Sequence, residues 1–181
     1  SFKNLIIINL PKNLGKGAAC RNGFYVSSGD WCILMDADES TKIEAWNSFK
    51  PFCGSYDIII GSRAVKNSRV LQRQFLFKVL AGKLGNKWIK LITGLPFNDT
   101  QCGFKAFNAK TKTLLKYANI NGWAFDIEWL CIARRLEFRA YEAPVEWKND
   151  TSSLVKPFDY IKVLFEVIIL TIRIKRQNIY T

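Results

Sequence analysis

Three short apolar runs, at 5–10, 31–35 and 56–60, are separated by helix-like segments at 18–28 and 41–49. This β-α-β-α-β order predicts a parallel sheet with helices on its faces. In such a sheet the strands end along one edge, and ligands bind outside that edge. The second run, Trp31-Cys32-Ile33-Leu34-Met35, ends in Asp36-Ala37-Asp38, and the third ends in Gly61-Ser62-Arg63. Two carboxylates and an arginine are therefore expected on one sheet edge. Further along, a helix is predicted over 70–92, a loop over 94–103 and a strand over 104–107. Helices over 110–117 and 125–136, a strand over 139–145 and an apolar helical segment over 158–174 follow. No repeat or linker divides the 181 residues, a length suited to one domain with a proper core.

Composition removes several chemistries. The chain has no histidine, and its five cysteines are widely spaced with no Cys-x-x-Cys pair. A Ser-His-Asp triad, a Cys-His nucleophile and a zinc site all need residues that are absent. Scattered free thiols fit a reducing compartment. The run at 5–10 is too short for a secretory signal core, and a chain opening on Ser1 reads as processed or as part of something longer. A formal net charge of +12 calls for an anionic partner: nucleic acid, anionic lipid or a phosphorylated small molecule. The six tryptophans sit inside apolar segments, which favours core packing over a nucleic-acid face.

Candidate chemistry concentrates at a few places. Asp36 and Asp38 offer hard oxygen ligands of the kind that Mg²⁺ or Mn²⁺ shares with a substrate diphosphate; acids that merely face water give the same pattern. Gly15-Lys16-Gly17 opens a helix, where an anion is favoured, although the spacing is not a Walker motif. Arg63 is placed to clamp a phosphate, with Arg73 as a second positive group. Asp99 to Lys105 mixes an acid, an amide and a glycine in one loop. Asp126 and Glu128 open a helix, where acids also serve the helix dipole.

Two segments bear on membranes. Lys83, Lys87 and Lys90 share one helix face, readable as a solvated stripe or as a face laid on anionic headgroups. The apolar segment 158–174 has no uncharged run longer than 167–172, whereas a span needs about 20 apolar residues. It is either a core helix or a helix in the membrane interface, with Arg173, Lys175 and Arg176 near headgroups.

The motifs NLGKGAACRNG (13–23), ILMDADEST (33–41), GSRA (61–64), DTQCGFKAF (99–107), GWAFDIEWL (122–130) and APVEW (143–147) occur in that order. The series resembles the polyprenyl-phosphate glycosyltransferases of glycosyltransferase family 2, and most of all the dolichyl-phosphate β-glucosyltransferases. The resemblance implies an α/β nucleotide-diphospho-sugar transferase (GT-A-like) fold: a mostly parallel sheet with flanking helices, amino-terminally truncated. It would comprise a partial catalytic domain over 1–156 and an amphipathic interface helix over 157–181. The implied reaction is inverting transfer of a hexose, glucose from UDP-glucose, to a polyprenyl or dolichyl monophosphate.

The resemblance assigns roles by position. Asp36, Asp38 and Ser40 would hold Mg²⁺ or Mn²⁺, Arg63 and Arg73 the phosphates, and Lys16 and Arg21 the nucleotide side. Asp99 and Gln101 would lie near the sugar, and Asp126 and Glu128 would line the acceptor side or brace that loop. The partners implied are a nucleotide sugar, the lipid phosphate and an anionic membrane surface, with no nucleic acid. The location implied is the cytosolic face of the endoplasmic reticulum or of a bacterial inner membrane. Two departures stand out: the family's domain starts with earlier strands that grip the nucleotide, and its Ser-Lys after the Val-x-Trp strand is displaced here to Lys156. A chain that binds lipid phosphate or membrane without turnover is the competing expectation. A haloacid-dehalogenase-type phosphatase would need a second acidic strand end, where this chain has Gly61-Ser62-Arg63.

Overall fold

In a computed structural model, residues 4–71, 76–148 and 157–176 are described. The central sheet contains β1 (Trp31–Leu34), β2 (Ile58–Ser62), β4 (Lys105–Asn108) and β5 (Ala140–Pro144), in the order β1-β4-β2-β5. β2 and β5 pair in parallel, while β4 runs antiparallel to both β1 and β2. Three strands thus share one direction and β4 is reversed between them. Lys105 pairs with Leu34 on one side and Ile60 on the other, so β4 begins where β1 and β2 end. The preceding loop delivers the chain to that edge, and the strand that follows can only run back. A small parallel ladder joins β3 (Arg69–Val70) to β6 (Glu146–Trp147).

Strand alternation sorts the side chains into two cores. Ile58, Ile60 and Phe107 face a cluster with Phe24 of α1 (Lys16–Val26) and Trp129 of α4 (Phe125–Arg135). α3 (Leu76–Thr93) adds Ile89 to that cluster. Ile59, Ala106 and Ala143 face the other way, toward Phe49 of the short α2 (Trp46–Phe49) and Phe104. Every residue of β2 is buried, as a strand covered on both faces requires. Trp129 sits among Phe24, Phe107 and Phe125, with ring centroids 5.6, 5.5 and 5.3 Å away.

The last helix, α5 (Pro157–Arg176), packs on α3 and α4. Val163, Val167, Leu170 and Ile174 form its buried stripe at helical spacing. Ile161, Phe165, Ile168, Ile169 and Ile172 remain exposed on other faces. The core reading therefore describes one side of this helix, and another side presents apolar surface. Among the described residues, no helix is long and apolar enough to cross a membrane.

Several expectations need correction. The run at 5–10 is not a strand; Leu5, Ile6 and Ile7 are 66%, 69% and 74% exposed. Apolar residues form a strand only where a neighbour supplies backbone partners, and none is found among the described residues. The expected helix at 110–117 is a 3-10 segment, Ala109–Lys116, whose start is fixed by the Asn108 side chain accepting from Thr111 N at 3.2 Å. Residue 70 leaves the helix expected over 70–92 and, together with residue 69, pairs with β6.

Burial without a polar partner defines what Trp129 contributes, because its indole nitrogen has no hydrogen-bond acceptor. Trp129→Ala should cost about 3–5 kcal/mol in urea unfolding. Trp129→Phe should cost clearly less, since no hydrogen bond is lost.

Candidate active site

Where β1 ends, Asp36 meets Lys16, the first residue of α1, in an ion pair with both side chains about one-third exposed. The Lys16 ammonium also lies 5.5 Å from the centre of the Trp123 ring. Gly103 presses on Asp36 so closely that a Cβ at that position would overlap the carboxylate. Burial alone would lower the Lys16 pKa, but the hydrogen bond and charge of Asp36 outweigh it and hold it above the usual value of 10.5. The start of β4 supplies a second pair: Lys105 Nζ donates to Asp126 Oδ2 at 3.1 Å, with both side chains buried. Lys16, Asp36, Lys105 and Asp126 line one small cavity of about 40 Å³, together with Cys20, Phe125 and Gly103. Burial there pushes the Cys20 thiol up to about 11.

Beyond β2, Arg63 grips Asp99 in a bidentate pair. Its Nε donates to Oδ2 at 2.6 Å, an Nη donates to Oδ1 at 2.8 Å and its backbone N–H donates to Oδ2 at 3.0 Å. The guanidinium lies 5.3 Å from the Trp147 ring centre. Glu142 of β5 accepts from the backbone N–H groups of Asn98 and Asp99 at 2.9 and 2.8 Å, pinning the loop that carries Asp99. Burial would raise the Asp99 pKa, but the Arg63 hydrogen bonds and charge win and hold it below the usual 3.8. Arg63 is thus engaged by a carboxylate within the chain, in the geometry expected for a phosphate clamp.

Asp38 is exposed and accepts from the backbone N–H of the buried Ser40 at 2.9 Å. Gln101 is exposed on the same loop as Asp99. An Arg21 Nη donates to Asn121 Oδ1 at 2.6 Å, beside the opening of α1. The N–H of Gly17 donates to Asn121 O at 2.8 Å, so a backbone donor at the opening of α1 already has a partner within the chain. Glu128 is fully buried and accepts from Asn119 N and Ile120 N, each at 2.9 Å, and from Arg173. It braces the 119–121 loop. Arg173, expected near headgroups, points to this carboxylate instead. Arg73 and Lys156 lie outside the described residues.

The donor set at this edge suits a hard cation in kind, since Asp36, Asp38 and Ser40 offer carboxylate and hydroxyl oxygens. Among the described residues no three acidic or thiol groups gather closely enough to hold a metal by themselves. An ion here would take Asp38 together with substrate oxygens, and Asp36 only by loosening its hold on Lys16. Sequence reasoning missed Lys105, Glu142, Trp123 and Asn121. A lysine inside the apolar stretch Phe104-Lys105-Ala106-Phe107 was the available signal, because a strand buried on both faces tolerates a cation only with a partner.

The mixed α/β sheet with flanking helices, and charged side chains gathered at one strand edge, has the GT-A-like fold of the nucleotide-diphospho-sugar transferases. Solved structures agree on the fold. Glucosyl-3-phosphoglycerate synthase from Mycobacterium tuberculosis in complex with UDP superposes with a TM-score of 0.54 at 16% identity, covering 88% of this chain and 54% of that one. The same enzyme with Mn²⁺, UDP-glucose and glycerol 3-phosphate gives a TM-score of 0.51 at 16% identity, covering 87% and 53%. The profile of Glycosyl transferase family 2 matches residues 1–110, and the chain belongs to that family. A dolichyl-phosphate beta-glucosyltransferase from Trichomonas vaginalis is 33% identical over 99% of this chain and 57% of its own length. The relative of that name from Homo sapiens is 32% identical over 84% and 49%, and that from Saccharomyces cerevisiae 30% over 94% and 55%. The chain spans about half the length of these relatives.

A carboxyl whose pKa is depressed in the folded state contributes its stability above the unfolded value and loses it as pH falls through the folded one. For Asp99 that loss falls below 3.8. Asp99→Asn should therefore cost about 2–3 kcal/mol at neutral pH. The gap between variant and parent in urea midpoint should shrink as the pH is taken to about 3 or lower.

Proposed function

We propose that the chain forms catalytic machinery for inverting transfer of glucose from UDP-glucose to a dolichyl or polyprenyl monophosphate. The observation that carries this reading is the placement of the Asp99–Lys105 loop against Asp36, in a chain that aligns over most of its length with dolichyl-phosphate beta-glucosyltransferases. That contact joins the two segments such a reaction needs side by side: the acidic strand end for the donor, and the loop for the sugar and acceptor.

The chemistry asks little of a general base. A phosphate monoester is already ionised near neutral pH, so the acceptor is itself the nucleophile, and a chain without histidine loses nothing. The difficulty is to hold two anions together and stabilise the departing diphosphate. Lys16 supplies positive charge at the cavity rim, and the buried Lys105–Asp126 pair fixes the wall behind it. The Arg63–Asp99 pair, anchored by Glu142, sets the loop that faces the sugar. Asp38 and Ser40, with Asp36, would hold Mg²⁺ or Mn²⁺, and the Mn²⁺–UDP-glucose complex of the structural neighbour supports that kind of ion. When bound, such an ion supplies countercharge for the leaving diphosphate.

The exposed apolar residues of α5, with Leu80, Leu84 and Leu91 of the adjoining α3, would bring the site to the lipid. Lys83, Lys87, Lys175 and Arg176 are also exposed on these helices and suit an anionic leaflet. The membrane concerned would be the cytosolic face of the endoplasmic reticulum in a eukaryote, or the inner membrane in a bacterium.

Two experiments check these readings. In the full-length protein, Asp38→Ala should lower glucose transfer from UDP-glucose to dolichyl phosphate by about 10²-fold or more; turnover equal to the parent would remove the metal assignment. The chain should co-sediment with vesicles containing phosphatidylserine, less so as salt rises, and Phe165→Glu with Ile169→Glu should release it. Equal sedimentation of that double variant would move the membrane contact elsewhere.

A further inference from the structure

Lys16 does more than line the cavity: we propose that it is a resident countercation for Asp36, which a divalent ion must displace on binding. The inference rests on reading Asp36 and Asp38 as the metal-binding edge.

Asp36 has little freedom. Gly103 lies against its carboxylate, closely enough to exclude even a methyl group, so Asp36 keeps its place at the cavity. The backbone of Lys16 is equally fixed. On one side, the N–H of Gly15 donates to Asn13 Oδ1 at 3.0 Å; on the other, the N–H of Gly17 donates to Asn121 O at 2.8 Å. What can move is the Lys16 side chain, which is flexible and about one-third exposed. The Trp123 ring, 5.5 Å from the ammonium, offers it a second resting place.

Charge explains why the lysine is there. Asp36 is half-buried at the cavity and Asp38, one residue on, adds a second negative charge to the same edge, so a cation beside Asp36 offsets charge that water only partly screens. The neighbouring lysine cannot serve, because Lys105 is buried against Asp126. Lys16 therefore balances Asp36 while the edge holds no metal. A divalent ion drawing on Asp36 meets the ammonium already there, and two cations on one carboxylate repel. The lysine must withdraw, toward Trp123 or onto a phosphate oxygen. An ion arriving alone thus gives up an ion pair that an ion arriving with a nucleoside diphosphate recovers, because the diphosphate gives the ammonium a new anion. In this way the edge would favour the metal–nucleotide complex over the free metal.

The test measures Mn²⁺ alone, with no nucleotide, by the electron paramagnetic resonance signal of free ion titrated with the full chain. Lys16→Met and Lys16→Gln both remove the charge, and a thermal melt checks that each folds. Both should bind Mn²⁺ roughly two- to fivefold more tightly than the parent, as loss of a partly exposed competing pair implies. Adding UDP should tighten Mn²⁺ binding less in these variants than in the parent. Asp38→Asn should abolish binding throughout. If Lys16→Met and Lys16→Gln bind Mn²⁺ no more tightly than the parent, while Asp38→Asn still abolishes binding, the countercation role is overturned and the metal edge stands. If neither the parent nor any variant binds Mn²⁺, the metal edge and the role of Lys16 are overturned together.

Discussion

The carboxylate of Glu128 is fully buried, and the fold around the site depends on how it is satisfied. A buried charge without partners is expensive, so the groups that meet it are held in place. Backbone N–H groups of Asn119 and Ile120 donate to its two oxygens, and Arg173 arrives from α5. The loop so fixed then holds α1: the Asn121 carbonyl accepts from Gly17, and its side chain accepts from Arg21. Lys16, one residue before Gly17, reaches Asp36 because that loop is where it is. One carboxylate in α4 thereby aligns a loop, the start of one helix and the end of another.

The site is built from ion pairs that neutralise themselves. Lys16 with Asp36, Lys105 with Asp126 and Arg63 with Asp99 each place a cation beside an anion at or near the sheet edge. Such pairs stabilise a fold only modestly, since each partner gives up water. Their value here is geometric, because together they fix how the 99–105 segment meets β1. The partners differ in exposure. The pair at β4 is dry, whereas Lys16, Asp36 and Arg63 are each about one-third open to solvent, so the outer charges are the ones available to a ligand.

The sequence made local features legible and left long-range pairings hidden. β1, β2, α1 and α4 were readable because apolar runs and helical spacing are properties of a short window. The acidic strand end was readable for the same reason. The direction of β4 was not, because it follows from where the preceding loop delivers the chain, which no window contains. Residues 5–10 were as apolar as any strand, but apolarity does not supply hydrogen-bond partners. The pairing of Arg63 with Asp99 was hidden because the partner stands 36 positions away. For Glu128, the helix dipole, the acceptor side and a brace for the 99–105 loop were the roles on offer, and no short window points to the N–H groups of Asn119 and Ile120 that its carboxylate accepts from.

α5 shows why core and membrane interface were not true alternatives. A helix has room for a buried stripe and an exposed apolar stripe, and α5 has both. Its polar residues divide in the same way. Glu166 accepts from the backbone N–H of Ala124 at 3.2 Å and Arg173 serves Glu128, while Lys175 and Arg176 face outward. The inward pair secures the loop that positions Lys16, so the helix that offers apolar surface outside also fixes the cavity rim inside. Placing that outer surface on a lipid leaflet would therefore set the distance from the leaflet to the Asp36 edge through a rigid chain of contacts: α5, Glu128, the 119–121 loop and Lys16. Under the proposed function the acceptor phosphate would be tethered to a membrane, and a fixed distance would hold it at the edge where a freely hinged anchor would not.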